Sequence, residues 1–245
     1  MIYSVINMDI IGSRKIEDRS ILQDKLKKYF DYLNSLYKDI LATSISFTLG
    51  DEWQIILKKP EESYNIINRI KVFLSEIEIK TYAGIGIGTI STNIYESTSL
   101  MDGEAFIYAR EAINMVKNKN QVIKSKLNKV YLKGRPCYLF NEFDGLREVA
   151  LTTSNDTFVY NKSLVDVINV LIENTEIIFN KITPKQLSII KLYEEFGSYN
   201  KMVEENVAKS KSDISQKLNS AEYFVLKNNK ELIKKLLVLY ILTIK

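Results

Sequence analysis

Leu49-Gly50-Asp51-Glu52-Trp53-Gln54 joins two apolar runs, Ile45-Ser46-Phe47-Thr48-Leu49 and Trp53-Gln54-Ile55-Ile56-Leu57. Both have strand length and β-favouring composition, which predicts a hairpin over residues 43–59 with Gly50-Asp51-Glu52 at its tip. Adjacent carboxylates at a tip have two readings: ordinary turn chemistry, or one wall of an ion site. The second gains from another acid, Asp9, near the end of the first apolar run, Ile2 to Ile10. Broken by Ser4, Asn7 and Asp9, that run suits a central strand buried on both faces.

Working outward, Gly12-Ser13-Arg14 reads as a turn. A helix follows, capped by Asp18 or Ser20, with Ile21, Leu22, Leu26, Phe30, Leu33 and Leu36 at helical spacing. Pro60-Glu61-Glu62 opens a second helix, with Tyr64, Ile67, Ile70, Val72, Phe73 and Leu74 as its apolar positions. Lys80 to Gly88 reads as a strand whose alternating glycines, Gly84, Gly86 and Gly88, imply a close approach to its backbone. Glu104 to Asn118 reads as a third helix, with Phe106, Ala109, Ile113 and Val116 on one face. The order β-α-β-β-α-β with an appended helix predicts a ferredoxin-like arrangement. A right-handed split crossover puts the third strand between the first and second, antiparallel to both. Asp9 and Asp51 then meet on one sheet edge.

Residues 117–133 are rich in lysine and asparagine and read as a helix end or a mobile stretch. Strands are expected at 136–140 and 146–152, and an amphipathic helix over 160–180 carrying Leu164, Val167, Ile168, Leu171, Ile172 and Ile177. Thr183-Pro184 then starts a helix that stops at Gly197. A short helix spans about 200–206, and another opens at Ser210-Lys211-Ser212. This pattern reads either as a helix-turn-helix module or as a plain three-helix packing unit, and the turn before its last helix lacks the usual glycine. The fold class expected is α+β: a palm domain over 1–145, a helical connector over 146–180 and an all-α module over 181–245.

Composition narrows the chemistry. The chain has 245 residues, 46% hydrophobic and 26% charged, one cysteine and no histidine. No internal disulfide can form, and the absence of histidine removes Ser-His-Asp hydrolysis, imidazole bases and the usual zinc ligand. A cytoplasmic location is expected, with neither a signal peptide nor a membrane span. The net charge is +4, but residues 181–245 hold 12 lysines against 7 acids, so the basic excess lies in the tail. A basic module on a near-neutral body suits a polyanion, although a solvated lysine-rich helical surface has the same composition.

Met8-Asp9-Ile10-Ile11-Gly12-Ser13-Arg14, the Leu49–Gln54 stretch, Gly84-Ile85-Gly86-Ile87-Gly88, Asp102-Gly103 and Tyr108-Ala109-Arg110-Glu111-Ala112, with Thr183-Pro184-Lys185-Gln186 in the tail, resemble the SatD family over essentially the whole chain. The first half also resembles the palm domains of class III nucleotidyl cyclases and GGDEF diguanylate cyclases. That likeness implies divalent-ion ligands at Asp9 and Asp51, Mg2+ or Mn2+ as cofactor, and a nucleoside triphosphate as ligand. It also implies phosphate contacts from Ile10, Ile11, Gly12, Ser13 and Arg14, a place for Glu52 in the nucleotide site, and Arg110 near the transition state. Phe106 stands where cyclases have an asparagine, and Glu104 and Tyr108 are the candidates for reading a base.

Two functions follow as expectations. One is a transcriptional regulator whose palm binds nucleotide and metal while Lys209, Lys211 and Lys217 meet DNA phosphates and Ser212 and Gln216 read bases. The other is a nucleotidyl cyclase or oligonucleotide synthase that releases pyrophosphate, with Asp9, Asp51 and Arg110 catalytic. A degenerate palm used for assembly is a third. In each case a homodimer is expected, with the final helix offering Leu232, Ile233, Leu236, Leu237, Tyr240, Ile241 and Ile244 as a contact face, unless the chain buries that face itself.

Overall fold

The computed structural model describes residues 1–137 and 163–245. Among the described residues five strands, β1 (Tyr3–Ile10), β2 (Ser46–Phe47), β3 (Glu52–Leu57), β4 (Thr81–Gly88) and β5 (Val130–Gly134), form one sheet in the order β2-β3-β1-β4-β5, and helices cover both of its faces. Among the described residues no helix is long and apolar enough to cross a membrane.

β1 (Tyr3–Ile10) is the middle strand, and its two-residue period decides what each face carries. Ile6, Met8 and Ile10 join the main core with Leu22, Leu26, Phe30 and Leu33 of α1 (Arg19–Leu36) and with Tyr64, Ile67 and Ile70 of α2 (Ser63–Ser75). Ile21 and Leu36, read as core positions, are exposed instead, because the buried stripe on α1 is one residue wide at each turn. The odd residues of β1 face the other way. Val5 packs there with Ile56 against Met101, Phe106 and Ala109.

β3 (Glu52–Leu57) lies between β1 and β2 (Ser46–Phe47), antiparallel to both. The first hairpin strand is shorter than its sequence suggests, for a visible reason. The Asn34 side chain accepts from Ile45 N at 2.7 Å and donates to Ile45 O at 3.4 Å. Helix α1 thus takes the backbone bonds that β3 would have used.

β4 (Thr81–Gly88) is antiparallel to β1, and α3 (Glu104–Lys117) lies directly on its backbone. A methyl group at Gly84 would meet Ile113 N at 2.2 Å, and one at Gly86 would meet Ala105 O at 2.1 Å. The close approach implied by the alternating glycines is therefore made by a helix of the same chain. β5 (Val130–Gly134) runs parallel to β4 at the sheet edge, and all but its last residue lie in the stretch read as a helix end or mobile segment. Pro136 and Cys137 carry no regular structure. The rest of the strand expected at 136–140, and the strand at 146–152, lie outside the described residues.

Helix α4 (Leu164–Phe179) begins at a capping box formed by Ser163 and Asp166. Then come α5 (Pro184–Phe196), α6 (Tyr199–Glu204), α7 (Lys211–Ser220) and α8 (Tyr223–Thr243). A second core of Ile189, Ile190, Met202, Ile214, Leu218 and Tyr223 holds α5, α6, α7 and the start of α8 together. The far half of α8 returns to the sheet unit. Ile233, Leu237, Tyr240 and Ile241 enter the main core beside α4, and Tyr240 donates to Arg135 O at 2.8 Å. The apolar face considered for dimer contact is thus largely used inside the chain, against the sheet unit and not against α5. Leu232 stays exposed.

Candidate functional site

Asp9 and Glu52 are cross-strand partners where β1 ends and β3 begins. One step along, Asn7 and Gln54 are partners too, and the Gln54 amide donates to Asn7 Oδ1 at 2.8 Å. The hairpin tip that delivers Glu52 is closed by Thr48 N donating to Glu52 O at 2.9 Å. It is tied to α1 by the Gln23 amide, which donates to Gly50 O at 2.7 Å. A row of polar side chains therefore runs along the sheet face that α3 covers in part.

The last residue of α3 completes the row. Lys117 Nζ lies 2.7 Å from Asp9 Oδ2 and 3.0 Å from Glu52 Oε1. Burial pushes the Asp9 carboxyl above its usual range. The hydrogen bond and charge of Lys117 oppose that shift, while Glu52 and Asp51 add to it. Burial pulls the Lys117 ammonium down, but its bonds to the two carboxylates outweigh this and leave its pKa raised. The two acids thus hold Lys117 in its ammonium form.

The Asp51 main chain accepts from Ile10 N at 3.2 Å, so the two acids separated in sequence come to one edge. Some phosphate donors expected after β1 are already engaged. Ile10 N is bound to Asp51 O, and Ile11 N donates to Lys80 O at 2.8 Å. The amides of Gly12, Ser13 and Arg14 have no acceptor among the described residues. Gly12 takes φ 71°, a left-handed turn open to glycine; Ser13 is buried beneath it, and Arg14 is exposed.

A cleft of about 540 Å3 opens beside the Asp9–Glu52 edge, lined by Glu52, Gln54, Asp102, Phe106, Arg110 and Lys117 among others. Arg110 is exposed along this cleft, while its neighbour Glu111 pairs with Lys133 at 2.6 Å. Glu104, considered for base reading, is committed elsewhere. It accepts from Thr89 Oγ1 at 2.7 Å and receives both Nε and Nη2 of Arg135, at 2.9 and 2.7 Å. These bonds hold its carboxyl down at about 2. Lys117 was not singled out from the sequence. Its signal is the seven-residue spacing from Arg110, which puts both cations on one helix face.

A family model for SatD matches residues 3–133, more than half of the chain, from the start of β1 into β5. The chain belongs to the SatD family. No curated protein matches it. In this SatD chain the matched stretch contains every residue of the Asp9–Glu52–Lys117 edge and its cleft, while α4 to α8 lie beyond it.

Magnesium and manganese prefer carboxylate oxygens, with remaining positions filled by water and substrate phosphates. Among the described residues no group of three or more acidic, cysteine or histidine side chains is gathered closely enough to hold a metal by itself. What this edge offers is a pair of carboxylates with a cation already between them. That donor set would suit an ion arriving with its own phosphate ligands better than a resident one, and the position between the two carboxyl groups is filled by Lys117 Nζ.

In the SatD tail, the starts of α5, α6 and α7 are capped by side chains. Thr183 and Gln186 form a capping box, Ser198 accepts from Lys201 N, and Ser210 accepts from Asp213 N. The missing turn glycine is replaced by Asn206 at φ 57°, a residue type that tolerates the left-handed region. Lys209, Lys211, Ser212 and Gln216 are exposed around the start of α7. Lys217 differs, because its ammonium pairs with Asp213 at 2.7 Å one turn earlier.

Proposed function

We propose that this SatD chain is a nucleotide- and divalent-metal-binding regulator that contacts double-stranded DNA through its tail. In this reading the sheet unit is a ferredoxin-like palm of the cyclase type, and α5 to α7 form a helix-turn-helix module. The observation that carries the nucleotide half is the Lys117 ammonium held between Asp9 and Glu52. Two carboxylates on one edge, with Asp51 adding a third charge, create a demand for positive charge that an internal lysine now meets. Asp9 and Asp51 would hold Mg2+ or Mn2+, with Glu52 beside them, and the ion would neutralise phosphate charge where a triphosphate enters. Once displaced, Lys117 and Arg110 supply cations along the cleft for phosphate oxygens.

The DNA half is supported by the basic excess of the tail and by the exposed Lys209, Lys211, Ser212 and Gln216 at one helix start. A homodimer would give the two-fold symmetry that helix-turn-helix proteins use on paired half-sites.

A second reading, a nucleotidyl cyclase or oligonucleotide synthase, is favoured by Arg110 lining the same cleft as Glu52 and Lys117. Phe106, in place of the cyclase asparagine, weighs against turnover.

Incubation with each nucleoside triphosphate and Mg2+ or Mn2+ tests both readings together. Saturable binding without pyrophosphate, lost in Asp51→Ala, is the result expected of the regulator. Pyrophosphate release abolished by Asp51→Ala would shift the conclusion to the enzyme, and no binding of any nucleotide would remove both.

A further inference from the structure

A separate cavity of about 310 Å3 lies where the start of β4, the end of α2 and the α4–α5 connection meet. Its walls carry three lysines, Lys71, Lys80 and Lys129, and one acid, Glu78. Lys71 is neutralised by its ion pair with Glu176. Neither Lys80 nor Lys129 has a carboxylate partner among the described residues. Burial, then the nearby charges of Lys119 and Lys80, pushes the Lys129 ammonium down, as expected of a cation held against like charges. Thr81 also lines the cavity. It is 2% exposed, and its hydroxyl oxygen has no hydrogen-bond partner among the described residues. The lining also includes apolar side chains, Phe179 at the end of α4 and Leu187 in α5, with the Lys71 ammonium 4.7 Å from the Phe179 ring centre.

Lys129 Nζ does donate to Lys126 O at 2.6 Å, but that carbonyl carries no charge. Two ammoniums without a carboxylate and a buried hydroxyl without a partner thus face one cavity, and an anion would balance them. We propose that this cavity binds a small phosphate monoester, with its dianion between Lys80, Lys129 and Thr81 and its apolar body against Phe179 and Leu187. The proposal does not depend on the nucleotide reading of the Asp9–Glu52 edge. Because the lining residues belong to the sheet unit and to the first helix of the tail, the ligand fastens one to the other.

Calorimetry on the full chain, with phenyl phosphate, inorganic phosphate and phenol as probes, tests this. Phenyl phosphate is expected to bind at one site per chain, more tightly than inorganic phosphate, and phenol not to bind. Lys129→Gln and the isosteric Thr81→Val should each weaken the ester by about tenfold while leaving the circular dichroism unchanged. Asp9→Asn should leave its binding intact. Loss of ester binding in Asp9→Asn would assign the anion to the other site and overturn the proposal. So would unaltered binding in Lys129→Gln, or no saturable binding at all. Inorganic phosphate binding as tightly as the ester would make the free anion the occupant and overturn the ester.

Discussion

Lys117 Nζ sits 2.7 Å from Asp9 Oδ2, joining the last residue of α3 to the end of the central strand. The pair is partly exposed, with side-chain accessibilities of 28% and 15%, so its contribution to stability is modest.

Lys117→Met is therefore expected to raise affinity for Mn2+ without substrate, because Asp9 and Glu52 lose their internal counter-charge. Stability should fall by about 1 kcal/mol or less. Manganese titration by electron paramagnetic resonance, beside urea unfolding, measures both. Unchanged manganese affinity would mean that these carboxylates are not a cation site.

Acid sensitivity should centre on Glu104. In the folded chain its carboxyl is held at about 2, below the ordinary 4.5 of a free glutamate, chiefly by the Arg135 hydrogen bonds and then by those from Thr89. A depressed carboxyl contributes stability that is present above its unfolded pKa and lost as pH falls through the folded one. Wild type should thus lose stability as pH falls from about 4.5 toward 2, and Glu104→Gln should flatten that limb. Asp9 acts in the opposite sense. Its raised pKa means that stability declines as pH rises from the usual carboxylate range through the folded value. Unfolding midpoints measured across pH for Glu104→Gln and Asp9→Asn separate the two.

Inside the protein, Lys71 and Glu176 form an ion pair with accessibilities of 8% and 0%, and Tyr64 donates to the same carboxylate at 3.2 Å. Removing one partner strands a buried charge. Lys71→Met should cost about 3–5 kcal/mol, whereas Lys71→Met with Glu176→Leu should recover much of that loss. Chemical denaturation of the single and double variants gives the coupling, and equal losses in both would refute it.

For the tail, salt dependence discriminates among lysines. Lys209→Ala and Lys211→Ala should each reduce the log–log salt slope of DNA binding by about one. Lys217→Ala should do less, since that ammonium is already paired with Asp213. Fluorescence anisotropy at several salt concentrations reads the slopes. A slope insensitive to all three changes would favour the three-helix packing unit.

The element order as far as α3, the Thr183 cap and the glycine stripe were legible because they depend on local periodicity and backbone sterics. Asp18, expected along with Ser20 as a candidate cap for α1, makes no side-chain cap bond. The Gly50-Asp51-Glu52 tip, Thr183-Pro184 and the Gly84–Gly88 alternation each carry their own signal, and the structure has a hairpin, a capped helix and a close helix approach at those places. β5 was hidden because Val130-Tyr131-Leu132 is a short apolar run between lysines, and its strand character depends on β4 beside it.

What tertiary structure alone decided is which groups are already spoken for. Sequence brought Asp9 and Asp51 to one edge, but the backbone of Ile10 and Ile11 was spent on neighbouring strands and loops. Lys117 reached Asp9 from 108 residues away because glycines let α3 lie flat on β4. The apolar face of α8 looked available for a partner, and it was filled by the main core because the chain folds that helix back beside α4. Periodicity names the face an element must bury. Which neighbour covers it, and which donor or charge remains free, is settled by packing between residues far apart in the chain.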